Sequence, residues 1–304
     1  RIIPAYWFNL LLCTLVALWA FDLNINWWRL ISGLLFINSY HYSSFFPAEL
    51  NGPLWSIGLE VSCYVLLPVL LFLIIKNTKK ISAAFAGMIG FIVVLQILNP
   101  LIISTFMLNN KSKGWQYGLT GGAKQWLPYW NIGSFFTQFM CGSLAALIII
   151  VLRSRGTLKS ITFDLSAVLF TTAAIWLVAI GLEPGTPNSF TKQPYMAPFF
   201  AILMAGVIVS ASLSTQVYKF LDNKLFQWIA KISFSIYLWH MFLIVIIERK
   251  FLPKYLYYGL TDLSEWVMIS SIVLIGSIIL AATSWRFLES PILKSARKLT
   301  TNRV

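Results

Sequence analysis

Apolar runs of about 20 residues, the length that crosses the hydrocarbon core of a bilayer as a helix, recur along this chain. They cover 3–21, 53–75, 82–105, 130–152, 165–182, 196–212, 232–248 and 265–287, which predicts eight spanning helices. A ninth apolar stretch, 27–38, is short and interrupted by Arg29, and reads as a re-entrant or interfacial piece. No internal repeat, soluble-domain-sized segment or long linker separates the runs. The expectation is a single transmembrane domain over 1–304, an all-α polytopic integral membrane protein.

Composition agrees with the pattern. The chain is 58% hydrophobic and 11% charged, far from the balance of a soluble domain. A net charge of +13 is compatible with nucleic acid, but Lys and Arg sit between the apolar runs and form no basic helix or aromatic-spaced motif, so no nucleic-acid partner is expected. The charges instead report orientation. With Arg1 in the cytoplasm, the segments 76–81, 153–164, 213–231 and 288–304 fall on the same side and carry about twice the Lys and Arg of the opposite loops, so both ends are expected to be cytoplasmic. Cys13, Cys63 and Cys141 all lie in apolar runs without metal-ligand spacing and read as buried free thiols, with no metal site. The chain opens RIIPAYW, with Arg rather than Met and with no signal-peptide pattern, which suggests a natural start further upstream.

Candidate chemistry begins where a polar group interrupts a span. Glu60 lies in PLWSIGLEVSCYVLLPVLLFLIIK. A central charge costs roughly 2.5–3.5 kcal/mol on insertion scales, which the neighbouring Leu and Ile can offset without explaining. Ser56 and Tyr64 sit four residues to either side and share its helical face, and Pro68 frees the Tyr64 carbonyl, so a polar stripe ending in a kink is expected. The plainer alternative is a structural glutamate satisfied by an Arg or Tyr of a neighbouring helix. A second stripe, Ser233, Tyr237 and His240, lies in KISFSIYLWHMFLIV. A buried imidazole there serves as general base, proton relay or hydrogen-bonded packing residue. His41 lies in an outward connection and reads as solvated. The loop 106–129 is rich in aromatics that either stack on sugar rings or form an interfacial belt. In the closing SWRFLESPILKSARK, Arg286 and Glu289 are spaced to pair at the membrane surface, Pro291 is expected to close the helix, and Arg286 is alternatively part of a phosphate site. No P-loop, dinucleotide fingerprint, GxSxG or HExxH is present.

Five stretches, in order along the chain, resemble the membrane-bound acyltransferase-3 family of sugar O-acyltransferases. PLWSIGLEVSCYVLLPVLL is similar to its Trp-Ser, glutamate, aromatic-pair and proline hallmark, FSIYLWH to its Ser-x-Tyr-Leu-x-His segment, and RFLESP to its closing Arg-x-x-Glu-x-Pro. RIIPAYW resembles the start of the family's third span, and FFTQFMCGSLAALI its Phe-x-x-Gly-x-x-x-Ala span. Cys63 and Tyr64 stand where the family has Phe-Tyr. The resemblance implies about ten spans, the first carrying a histidine taken to be catalytic, so this chain is expected to lack its first two helices and to keep only Arg1 of a basic cytoplasmic motif.

By resemblance the whole protein is a stand-alone O-acyltransferase of the inner (plasma) membrane. It would move an acyl group, most often acetyl, from cytoplasmic acyl-CoA to a hydroxyl of a cell-surface or lipid-linked glycan. Acyl-CoA is then a co-substrate rather than a bound cofactor, and the partners are membrane lipids, the glycan and acyl-CoA. Glu60 and His240 are the expected intramembrane catalytic groups, Trp55, Ser56, Tyr64 and Tyr237 the substrate-binding ones, and Arg1 and Arg286 hold CoA phosphates. The rival readings are a proton-coupled transporter or flippase with Glu60 and His240 as its relay, and a non-catalytic, truncated acyltransferase remnant.

Overall fold

The computed structural model describes residues 2–41, 43–78, 80–110, 131–181, 193–250 and 263–301. Among these residues there is no strand. The helices are α1 (Ile2–Phe21), α2 (Trp27–Leu34), α3 (Trp55–Asn77), α4 (Ile81–Asn110), α5 (Ile132–Ser154), α6 (Ile161–Gly181), α7 (Gln193–Leu213), α8 (Gln216–Leu221), α9 (Lys224–Lys250), α10 (Leu263–Ser284) and α11 (Ser290–Thr301). Seven helical stretches are long and apolar enough to span a bilayer, and the apolar part of α7, Pro198–Leu213, is shorter. Each of the eight predicted spans therefore has a helix, and the chain is an all-α polytopic membrane protein.

The differences lie at helix ends. α9 starts at Lys224, eight residues before the predicted span, because KLFQWIAK is a polar-faced helical approach that a hydropathy window does not register. The short stretch 27–38 forms α2, capped by Asn26, whose side chain accepts from the Trp28 and Arg29 N–H groups, followed by a tight 3₁₀ turn at Asn38–Tyr40. Arg29 is buried there. Its Nε donates to the Phe46 carbonyl at 2.6 Å, and it forms an ion pair with Glu49, so the charge that interrupts the hydrophobic run is neutralised locally. Pro68 does not break α3, which continues to Asn77. Pro291 does not close the last helix either. A turn of π geometry, Trp285–Glu289, lets the Ser290 N–H donate to the Trp285 carbonyl, and Pro291 falls in the first turn of α11, where a missing N–H costs little.

The chain folds as two compact units, one of residues up to 58 with those from 224 onward, the other Leu59–Asn223. In the first, α10 packs along α9, and α1 meets α2, α9 and the π turn. In the second, α5 packs against α4 and α7, and α6 lies along α7. Its core holds Cys63, Met88, Phe136 and Met140. Polar groups bind α4 to α5: Gln96 Nε2 donates to Thr137 Oγ1 at 3.0 Å, and Asn99 Oδ1 accepts from Asn131 Nδ2 at 2.9 Å and from Ser134 Oγ at 3.3 Å. Asp164 of α6 caps α8 from outside, accepting from the N–H groups of Thr215, Gln216 and Val217 and from the Thr215 hydroxyl. All three cysteines are free and buried, as their surroundings in the sequence predict.

Candidate functional site

The start of α3 and the middle of α9 build a polar cluster in the first unit. α3 begins after a one-turn 3₁₀ segment, Gly52–Leu54, with Pro53 in its first turn. The Trp55 N–H points to the Gly52 and Pro53 carbonyls. Tyr237 Oη donates to the Pro53 carbonyl at 2.7 Å. Ser56 Oγ lies 2.8 Å from the same Tyr237 oxygen. Ser56 Oγ also lies 3.3 Å from the Pro53 carbonyl, so the two hydroxyls share that acceptor.

His240 lies one turn along α9, its ring centroid 5.6 Å from that of Tyr237. Its Nδ1 is 2.7 Å from the Tyr237 carbonyl oxygen. A carbonyl only accepts, so Nδ1 carries the proton, and in the neutral ring Nε2 keeps the lone pair that can take one. Both side chains are half-buried, whereas Ser56 and Trp55 are buried. The indole of Trp55 stacks on Phe45 at 4.9 Å, and its carbonyl accepts from Ser39 Oγ at 2.7 Å and Asn38 Nδ2 at 3.3 Å. Gly58 permits the close approach of α3 to this turn: a Cβ there would lie 2.6 Å from Asn38 Oδ1 and 3.0 Å from the Phe36 carbonyl.

Glu60 is half-buried one helical turn past Ser56 and belongs to the second unit. Tyr64, also in that unit, is exposed, with its ring edge-on to Phe139 at 5.3 Å. Arg286 is exposed over the ring of Phe287. Glu289 is fully buried and accepts from Ser235 Oγ, so the expected surface position of this glutamate is corrected. The π turn widens the helix at these residues and sends the two side chains to different surroundings. His41 is exposed and bonds to Ser43. Arg1 and most of the aromatic loop 106–129 lie outside the described residues. No group of three or more His, Cys, Asp or Glu that could hold a metal ion occurs among the described residues.

The sequence reading passed over two buried amides. Asn9 of α1 and Asn51 both donate to the Leu238 carbonyl, at 3.2 and 2.7 Å, and Asn51 also donates to Asn9 Oδ1 at 2.9 Å. Both are fully buried. The available signal was an asparagine inside an apolar span, LLNFWY read backwards from Leu11, which marks an intramembrane polar group in the same way as Glu60.

Comparison with known proteins places these observations. The profile of the acyltransferase-3 family, described as an acyltransferase domain, matches residues 1–282. The matched stretch contains the whole cluster and ends before Arg286. The chain is 24% identical over 277 residues to the O-acetyltransferase OatA of Staphylococcus aureus strain NCTC 8325 / PS 47, and equally to that of strain COL, covering 90% of this chain and 40% of each relative. It thus spans about two fifths of the length of these curated relatives. No solved structure matches.

Proposed function

We propose, from the premise that the chain belongs to the acyltransferase-3 family, that it forms the membrane part of an O-acyltransferase. The reaction moves an acyl group, acetyl by preference, from cytoplasmic acyl-CoA to a hydroxyl of a cell-surface or lipid-linked glycan. What carries the reading is that the family match over 1–282 includes every residue of the hydrogen-bonded cluster around Tyr237.

Transfer from a thioester to an alcohol needs a base for the hydroxyl proton and donors for the developing oxyanion. His240, with its proton on Nδ1, offers Nε2 as the acceptor for the sugar hydroxyl proton. The alcohol oxygen then bonds to the acyl carbon, the carbon–sulfur bond breaks, and the thiolate of CoA leaves and takes up a proton. Tyr237 holds the carbonyl end of the 3₁₀ turn and so shapes the floor on which the acceptor would lie. Glu60 and Tyr64, further along α3, are assigned to the acyl-transfer path, and Arg1 and Arg286 to CoA phosphates on the cytoplasmic side. Membrane lipids surround the protein, and both ends of this chain face the cytoplasm of an inner (plasma) membrane.

The test expresses the protein as its gene encodes it in a host without glycan O-acylation, feeds labelled acetyl-CoA to membranes, and measures acylated sugar by mass spectrometry. Acylation is expected from the native protein. His240→Ala is expected to lower it by about 10²–10⁴ at unchanged membrane levels. Native protein that acylates no glycan from any acyl-CoA, or a His240→Ala variant of full activity, overturns the reading or the role of the histidine, respectively.

A further inference from the structure

The Leu238 carbonyl is an unusual acceptor. It lies inside α9, yet two carboxamides from distant parts of the chain, Asn9 and Asn51, donate to it. Asn51 uses both amide protons, one on Leu238 and one on Asn9 Oδ1, so the two asparagines and the carbonyl form a closed, fully buried triangle. Its third neighbour, the Cys13 thiol, lies 3.5 Å from Asn9 Oδ1. Nothing in this triangle faces solvent, and none of it is chemically reactive.

What the triangle fixes is register. Asn51 is two residues before Pro53 and five before Ser56, and Leu238 is next to Tyr237. The segment 51–56 is therefore joined to α9 at three points: Asn51 to the Leu238 carbonyl, Tyr237 to the Pro53 carbonyl, and Ser56 to the Tyr237 hydroxyl. Shifting either partner by one residue breaks all three bonds. The Tyr237 carbonyl, which orients the His240 ring, belongs to the peptide that immediately precedes Leu238.

We infer that Asn51, held in place by Asn9, is a positioning residue of the acyl-transfer site: it sets the register of the 51–56 segment against residues 237–240 and thereby the placement of His240. The inference rests on the proposed function. Asn51 touches neither acyl donor nor acceptor, and it acts through the Leu238 carbonyl. A carboxamide suits the task because it can donate two protons in one plane while filling an apolar space. Aspartate has the same shape and, facing a carbonyl and an amide oxygen, no protons for them.

The experiment compares Asn51→Asp, Asn51→Ala and Asn9→Ala in the full-length protein, purified in detergent. Steady-state acyl transfer is read as kcat and KM for acetyl-CoA, and hydrogen exchange by mass spectrometry follows the peptides covering 51–60 and 235–245. Misplacing a reacting group by about 1 Å costs on the order of 10² in rate. The expected result for Asn51→Asp is therefore a fall of kcat of that order with KM changed by less than about twofold, and faster exchange confined to the two peptides. Asn9→Ala keeps the bond from Asn51 to Leu238 and is expected to lose less. A variant that merely unfolds would lower the amount of active enzyme and speed exchange everywhere, and Asn9→Ala then decides the matter, since full kcat from it in a folded protein sinks the role of the triangle. If the native enzyme is active and Asn51→Asp matches it in kcat, the positioning role is overturned and the functional reading stands. If the native enzyme transfers no acyl group, the functional reading falls and takes this role with it.

Discussion

At the residue scale, contacts that depend on one atom dominate the site. The Tyr237 hydroxyl bonds both Ser56 and the Pro53 carbonyl, so Tyr237→Phe leaves that pair only its longer 3.3 Å bond to each other in a part-buried place. A cost of about 1–3 kcal/mol is expected, read as a lower unfolding midpoint in detergent, while a midpoint equal to that of the native protein would show that water replaces the hydroxyl. Gly58→Ala makes the opposite error. Its new methyl meets the Asn38 side chain, which is fully buried, and the Phe36 backbone, and a loss of roughly 1–3 kcal/mol is expected by the same measurement. Ser56, Tyr237 and His240 were legible in the sequence because polar residues at helical spacing inside apolar runs are rare. Their mutual contact was not, since bonds between residues 181 and 184 apart leave no trace in local pattern. Asn9 and Asn51 were missed for a related reason. An uncharged amide barely lowers a hydropathy average, and what it binds is a backbone carbonyl that every residue possesses.

At the scale of elements, each apolar run falls on a helix of the described residues, because hydrocarbon length and helical rise leave little freedom. The ends were less legible, since they are set by caps and turns rather than by hydropathy. α5 begins where Asn131 accepts from the Gly133 and Ser134 N–H groups while donating to Asn99 of α4. Asn131→Ala removes a cap and an interhelical bond together, and a destabilisation of about 0.5–2 kcal/mol from the cap alone is expected in chemical denaturation. α8 is held differently, by a carboxylate from another helix. Asp164→Ala is expected to fray it, seen as faster hydrogen exchange in residues 214–222 with α6 and α7 unchanged. Exchange at the native rate would show that α8 holds itself. The π turn at Trp285–Glu289 could not be read from composition at all. It places Glu289 inside, against Ser235, where simple helical spacing puts it on the surface beside Arg286.

At the scale of the whole molecule, the bias of Lys and Arg predicts which loops face the cytoplasm. In a protein freed of Cys13, Cys63 and Cys141, Asn77→Cys should react with an impermeant maleimide only after the cells are opened, and His41→Cys in intact cells. The reverse pattern would invert the orientation and deprive the acyl-CoA of its cytoplasmic approach. The first unit, built from residues up to 58 and from 224 onward, also has a consequence for how the protein is made. Asn51 must wait for a carbonyl 187 residues further on, and Asn9 for one 229 residues away. At about 5–20 residues per second the ribosome needs roughly 10–40 s to deliver Leu238 after Asn51. Through that interval two amides sit in or beside the lipid without their final acceptor, while Leu59–Asn223 can already pack. A nascent chain halted before residue 224 should therefore protect its second unit from protease and leave residues 2–58 open to cutting, and release to full length should close them. Protection of 2–58 in the halted chain would mean that the early helices find other partners first.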